Sequence, residues 1–194
     1  MEDLSLDLAR TALVLIDLQN GIVPRPWAPY TGEHVVGNCS QLAQEMRNLG
    51  GMVVYVHVLL NDMVSLPADQ PGNAPGAPPP EASQFVPEAG VEATDVVIVK
   101  RQWGAFYGTN LDQQLRRRGI RTIVIGGIAT NMGVESTARA AFDRAYELVF
   151  VEDAMTSFSA EAHQFACGQV FKRMGRVRST EHVLQALRAA AVKA

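Results

Sequence analysis

Lysine is scarce in this chain of 194 residues, cysteine is scarcer, and proline stops altogether at Pro87. The two cysteines, Cys39 and Cys167, stand far apart and in no CxxC or Cys/His ligand spacing. That excludes a disulfide framework and a cysteine zinc site, and leaves small buried hydrophobes as their plain reading. No apolar run approaches the roughly 18 residues of a membrane-spanning helix. The opening MEDLSLDLAR is acidic where a secretory signal needs a basic end and then an apolar stretch. The sequence therefore predicts a cytoplasmic protein with no membrane partner. Charge of one sign is lacking too: 17 basic against 20 acidic side chains give a net charge of −3, so no field draws the chain to nucleic acid or anionic lipid.

What is present suits one compact unit. At about 100–200 residues per domain, the chain forms a single domain over 1–194. Its 47% hydrophobic and 19% charged residues are those of a globular protein, not of a disordered or fibrous one. All ten prolines fall in two stretches, 24–29 and 67–87. Residues 91–194 are thus free to be densely regular, while about 61–90 is expected to be a long Pro-rich loop with little structure of its own.

Two periods alternate along the rest. TALVLI (11–16), GMVVYVHVL (51–59), DVVIV (95–99), RTIVIGGIA (121–129) and ELVFV (147–151) are short β-branched apolar runs, the pattern of strands buried on both faces. Between them, Val36, Cys39, Ala43 and Met46 recur at helical spacing and stop at Leu49-Gly50-Gly51, where glycine supplies a left-handed turn. Leu111 and Leu115 follow an N-cap at Thr109 or Asn110, in a helix that ends at Gly119. Val134, Ala138, Ala141, Phe142 and Ala145 form a third stripe, and 160–174 and 181–191 two more. Strand and helix in alternation predict an α/β fold: three layers, α/β/α, around a doubly wound, mostly parallel sheet of about six strands. Arg116, Arg117 and Arg118 close a helix, where cations favour the negative dipole end by about 0.3–1 kcal/mol each. A solvated last turn explains them better than a binding patch.

Ligands of such sheets bind beyond the carboxyl ends of the strands. There stand Asp17 after the first run, Lys100 after the third, and Gly133 at the mouth of a helix after the fourth. Each has an ordinary explanation: aspartate caps turns, a lysine at a strand end reaches solvent, and glycine starts helices. Their joint placement favours chemistry. His57, inside YVHVLL, has no partner at metal spacing and reads as a satisfied core or strand-end histidine.

LVLIDLQNGIV, VVIVKRQWGAFYGTNLDQQLRRRGI and TIVIGGIATNMGVESTARAAFDRAYELVFVEDA together resemble, in order and spacing, the motif regions of the isochorismatase-like (cysteine hydrolase superfamily) hydrolases, over about 10–187. The resemblance implies an isochorismatase-like, Rossmann-like fold and an Asp, Lys, Cys triad. Asp17 and Lys100 take the first two places, and the cysteine position falls on Gly133. Covalent thiol chemistry needs a thiolate, so the resemblance points to the branch with glycine in place of the catalytic cysteine. In that branch isochorismatases cleave the vinyl ether of isochorismate to pyruvate and a dihydroxy-cyclohexadiene carboxylate by general-acid catalysis. Asp17 is then the acid, Lys100 an anion contact and tuning group, and Gly133 the residue that leaves room. A cation at 4–6 Å lowers an aspartate pKa by roughly 1–3 units, whereas burial and a bound dianion raise it; Asp17 is therefore expected to be ionised in the free protein and to gain its proton as substrate binds.

The resemblance further implies a cis peptide between Ile128 and Ala129, with the N–H groups of Ala129 and Gly133 facing the ligand. Trp103, Phe106 and Tyr107 are placed to line the pocket mouth, although core packing explains three neighbouring aromatics equally well. No metal and no organic cofactor are expected, since the segment NDMVSLP does not carry the Asp-x-His pattern of the nicotinamidase branch. A small anionic substrate and a homo-oligomer are expected. Two other functions remain open: a catalytically silent binding or assembly protein of the same fold, and a hydrolase of another small carbonyl compound.

Overall fold

A computed structural model describes residues 4–64, 66–69 and 78–192. Six strands, β1 (Thr11–Ile16), β2 (Met52–Val58), β3 (Val96–Lys100), β4 (Thr122–Ile128), β5 (Glu147–Thr156) and β6 (Arg176–Arg178), form one sheet. Its order is β3-β2-β1-β4-β5-β6 and all five pairings are parallel. Every residue of β1 and β4 is buried. The reason is visible in the alternation of β1: Leu13 and Leu15 enter one core layer with Val35, Leu42 and Met46, while Ala12, Val14 and Ile16 enter the other with Leu111, Leu115 and Ala138. A strand with helices on both faces has no side to leave polar.

The helices are α1 (Gly32–Asn48), α2 (Leu111–Arg116), α3 (Glu135–Asp143), α4 (Ala160–Phe165), α5 (Lys172–Met174) and α6 (Thr180–Ala191). Side chains of Thr31, Ser159 and Ser179 cap α1, α4 and α6 by accepting from the N–H three residues on. At the start of α2 the cap position is Asn110, but Thr109 Oγ1 is the oxygen that accepts from Leu111 N–H. The helical stripe over 160–174 is continuous only through a π-type segment, Ala166–Phe171, between α4 and α5. Arg116 does more than end its helix: its guanidinium covers the Tyr146 ring at 4.2 Å and donates to the Arg144 carbonyl.

The proline-rich loop differs from expectation in its second half. Residues 70–77, with Pro71 and Pro75, and Ser65 lie outside the described residues. From Pro80 onward, however, two short 3-10 turns start on prolines, Pro80–Ser83 and Pro87–Ala89. They are stitched to the sheet end: Asn20 N–H donates to Gln84 O, Gly21 N–H to Ala82 O, Val86 N–H to Leu18 O, and the Tyr55 hydroxyl to Ala89 O. A proline at the first position of a helical turn gives up an N–H that would have had no partner there, so these residues organise the segment.

The chain runs outward from β1 to β2 and β3, then crosses back to β4 on the other side of β1. The strand order therefore reverses between β1 and β4, and the crevice at their carboxyl ends is where such sheets bind ligands. Gly127 lets β4 close on β1 there: at φ 119°, a Cβ on it would lie 2.1 Å from the carbonyl oxygen of Ile16.

Candidate active site

Asp17 follows β1 in a left-handed conformation, φ 57°, unusual for a residue with a side chain. Its N–H still donates to Val56 O at 2.8 Å, so the sheet holds the residue while the turn re-aims the carboxylate. Such backbone persists where the surroundings over-determine it, commonly at functional sites. Lys100 ends β3, two strands from β1, a gap of about 10 Å at the usual strand spacing. Its long side chain crosses that gap under cover, only 2% exposed. Nζ donates to Asp17 Oδ2 at 2.7 Å and to the Trp103 carbonyl at 2.7 Å. An ammonium has three donors, so two of the three have protein partners.

The other carboxylate oxygen is the anomaly of the site. Asp17 Oδ1 is buried and has no hydrogen-bond partner. Buried oxygens are seldom left so, and an oxygen kept free beside a held one is suited to carry or exchange a proton. Burial raises the Asp17 pKa above the ordinary carboxylate value; the charge and hydrogen bond of Lys100, and the charge of His57, offset part of that rise. Desolvation thus wins over the cation in the free protein.

Gly133 closes the third side. It lies in a π-type turn, Thr130–Val134, that leads into α3. A Cβ built on it would stand 3.1 Å from Asp17 Oδ2, 3.1 Å from Ile16 Cγ2 and 3.3 Å from Lys100 Nζ. The bare backbone therefore sits directly against the ion pair. The Gly133 carbonyl accepts from Thr137 Oγ1 at 2.7 Å, and Thr137 in turn accepts from Ala105 N–H. The Ile128–Ala129 peptide is cis, and Ala129 turns its carbonyl toward the N–H groups of Met132 and Val134. A second cis bond, Ala28–Pro29, lies in the loop before α1.

The aromatics divide. Trp103 gives its carbonyl to Lys100 and leaves its ring half exposed, and Tyr107 is 81% exposed. Phe106 is instead buried in the core, its ring 6.0 Å from that of Tyr146 and covered by Arg144; for Phe106 the packing alternative holds and a pocket-mouth role does not. His57 Nδ1 is 2.9 Å from the Ser83 carbonyl and its ring meets Phe85. Cys39 and Cys167 are buried, and burial pushes both thiols well above the usual range. Among the described residues no group of three or more His, Cys, Asp or Glu side chains is arranged to hold a metal ion, and no helix is long and apolar enough to cross a membrane.

Sequence reasoning missed three supports of the site. Gln19 is fully buried and bridges strand ends, donating to Val58 O and Ser83 O and accepting from Val58 N–H. Thr137 and His163 buttress the Gly133 turn. Thr137 left one signal, a hydroxyl beside the apolar stripe of α3, four residues after Gly133. The partners of Gln19, and the Thr130 hydroxyl that His163 meets, lie 33 to 64 residues away, so no local pattern marks these contacts.

The model of the isochorismatase domain matches residues 11–182. The chain is 47% identical over 189 residues to the uncharacterized isochorismatase family protein YwoC of Bacillus subtilis, covering 95% of this chain and 98% of that one. It is 45% identical to the uncharacterized isochorismatase family protein YecD of Escherichia coli O157:H7, covering 95% and 100%. The structure of an isochorismatase family protein from Burkholderia thailandensis superposes with a TM-score of 0.91 at 44% identity, over 96% of this chain and 100% of that one.

Proposed function

Because the chain belongs to the isochorismatase family and is one of its hydrolases, we propose that it opens a vinyl ether by general-acid catalysis, turning isochorismate into pyruvate and a dihydroxy-cyclohexadiene carboxylate. The observation that carries this reading is a buried, partnerless Asp17 Oδ1 on a carboxylate whose other oxygen, Oδ2, lies against Lys100 and a bare glycine. Amide hydrolysis by a thiol needs a thiolate at that spot, and both cysteines are buried elsewhere with raised pKa values.

In the proposed reaction Asp17 Oδ1 gives its proton to the methylene carbon of the enolpyruvyl group. The ether oxygen stabilises the resulting oxocarbenium ion, and water adds at the carbon bearing the carboxylate. The hemiketal then collapses to pyruvate and the ring alcohol. One water is consumed, and the proton it sheds restores Asp17. Lys100 holds Oδ2, which leaves Oδ1 as the reacting oxygen, and its remaining N–H is the cationic donor available to a substrate carboxylate. The N–H groups of Ala129 and Gly133 would serve the same anion. Trp103 and Tyr107 offer apolar surface at the rim.

Pyruvate release from isochorismate tests this directly. The wild-type protein is expected to turn over, and Asp17→Asn to lose about 10²–10⁴-fold in kcat, the usual worth of a general acid. A wild-type protein that binds isochorismate without releasing pyruvate is a binding protein of this fold, and the proposal is then wrong.

A further inference from the structure

A second buried row of reactive side chains lies behind the turn that carries Gly133. His163, on α4, is 2% exposed; its Nδ1 stands 2.9 Å from Thr130 Oγ1 and its Nε2 3.7 Å from Cys167 Sγ. The order Cys, His, Thr imitates a thiol triad. Burial, however, pushes the Cys167 thiol up to about 12, which leaves no thiolate for such chemistry. The other end of the row is the informative one.

Thr130 follows Ala129 and opens the turn whose fourth residue, Gly133, rests on Asp17 and Lys100. Side chains hold this turn at three points: His163 at Thr130, Ser157 Oγ donating to Asn131 Oδ1, and Thr137 Oγ1 donating to the Gly133 carbonyl. Of the three tethers, only His163 titrates in the range of ordinary pH.

Hydrogen counting fixes its state. The row contains a hydroxyl, an imidazole N–H and a thiol hydrogen, but only two contacts to absorb them. An unmet buried O–H costs more than an unmet S–H, which is a weak donor. The favoured arrangement has Thr130 donating to Nδ1 and Nε2–H donating to Cys167 Sγ. Protonating Nδ1 turns it from acceptor into donor, so the imidazolium reverses the tether and strips the Thr130 hydroxyl of its acceptor.

Several groups surround the ring. Tyr30, from the loop before α1, meets it at 89° with centroids 5.9 Å apart, and His34 of α1 stacks on Tyr30. Glu152 and Asp153 of β5 act on Tyr30, and Glu152 and Lys172 on Cys167. Burial alone lowers the His163 pKa.

We propose that His163 is a positioning residue: as a neutral Nε2–H imidazole it accepts from Thr130 and so sets the Ala129–Gly133 turn against the Asp17 carboxyl. Its catalytic consequence rests on the vinyl-ether reading above; its structural content does not.

The test is NMR on the full chain with 15N-labelled histidine and backbone amides. The chain has four histidines, and His163→Asn identifies the one signal that is lost. The expected result is an Nε2–H tautomer with a midpoint below the ordinary value of 6.5, and amides of residues 129–134 that shift with that same midpoint. In His163→Asn, whose amide supplies an acceptor near the place of Nδ1, those amides should hold still as pH falls. An Nδ1–H tautomer, or a 129–134 segment unmoved while His163 titrates, overturns the proposal.

With isochorismate as substrate, His163→Leu is expected to lose about tenfold or more in kcat while KM changes less than about twofold, and His163→Asn to recover to within about threefold of wild type. Equal losses in both variants contradict a role through Thr130. A wild-type protein inert toward isochorismate counts against the vinyl-ether reading alone, and the NMR result then decides this one.

Discussion

At the scale of the residue, the two oxygens of Asp17 have different duties. Lys100 at 2.7 Å immobilises Oδ2 and stabilises the ionised form, while burial disfavours it and wins. Removing the cation should therefore separate geometry from acidity. Lys100→Met is expected to lower kcat, since Oδ2 loses its anchor. It should also move the high-pH fall of the rate to a still higher pH, because the charge that lowers the Asp17 pKa is gone. A pH profile of pyruvate release checks both, and a fall that moves to lower pH contradicts this division of labour. Gly133→Ala probes the third side. Its Cβ would meet Asp17 Oδ2 and Ile16 Cγ2 at 3.1 Å, so the ion pair must give by a few tenths of an ångström. A loss of about tenfold in kcat is expected, with unchanged thermal stability to within about 1 kcal/mol; full activity would show that the close approach is not used.

At the scale of the element, the strands were legible because burial on both faces leaves continuous apolar runs, and β1 to β4 fall where those runs stand. The price of a polar residue inside β1 is correspondingly high. Leu13, buried in the layer under α1, should cost about 2–5 kcal/mol when cut to alanine, read from urea unfolding; a loss under about 1 kcal/mol would mean the layer is loosely packed. Other elements left weaker traces. β6 is Arg176–Arg178, three residues with two charges at a sheet edge, which has no period to read. β5 continues past ELVFV through Glu152 and Asp153 because a register shift against β4 at Gly127 lets it run on to Thr156. The 78–90 segment reads as loop from its prolines, yet its order comes from backbone bonds to residues 18–21, far away in sequence. The proximity of Asp17, Lys100 and Gly133 is legible in their placement at strand ends, whereas Gln19 and His163 act through partners that only the folded chain supplies.

At the scale of the whole molecule, the two buried titrating groups make opposite demands on pH. His163 has a folded pKa below its ordinary 6.5, so the stability its neutral form contributes is present above that value and is lost as pH falls toward the folded pKa. Asp17 has a folded pKa above its ordinary 3.8, so folding must oppose its ionisation as pH rises from there through the raised pKa. Because the two contributions oppose each other, the share of His163 is read from a difference: below about 6.5 the melting temperature of the wild type should fall relative to that of His163→Asn as the pH decreases, and a difference that stays constant down to pH 5 would contradict it.

The fold places these groups by its reversal of strand order between β1 and β4, which opens a crevice where Asp17 and Ala129 emerge and across which Lys100 reaches. Everything proposed for that crevice depends on a carboxyl group that reacts in its protonated form. The most direct measurement is the pH dependence of kcat/KM for pyruvate release from isochorismate. The rate should fall with rising pH through one midpoint above the ordinary aspartate value of 3.8, with the fall absent in the residual activity of Asp17→Asn. A rate that instead rises with pH through that midpoint, as for a carboxylate acting as base, would contradict it.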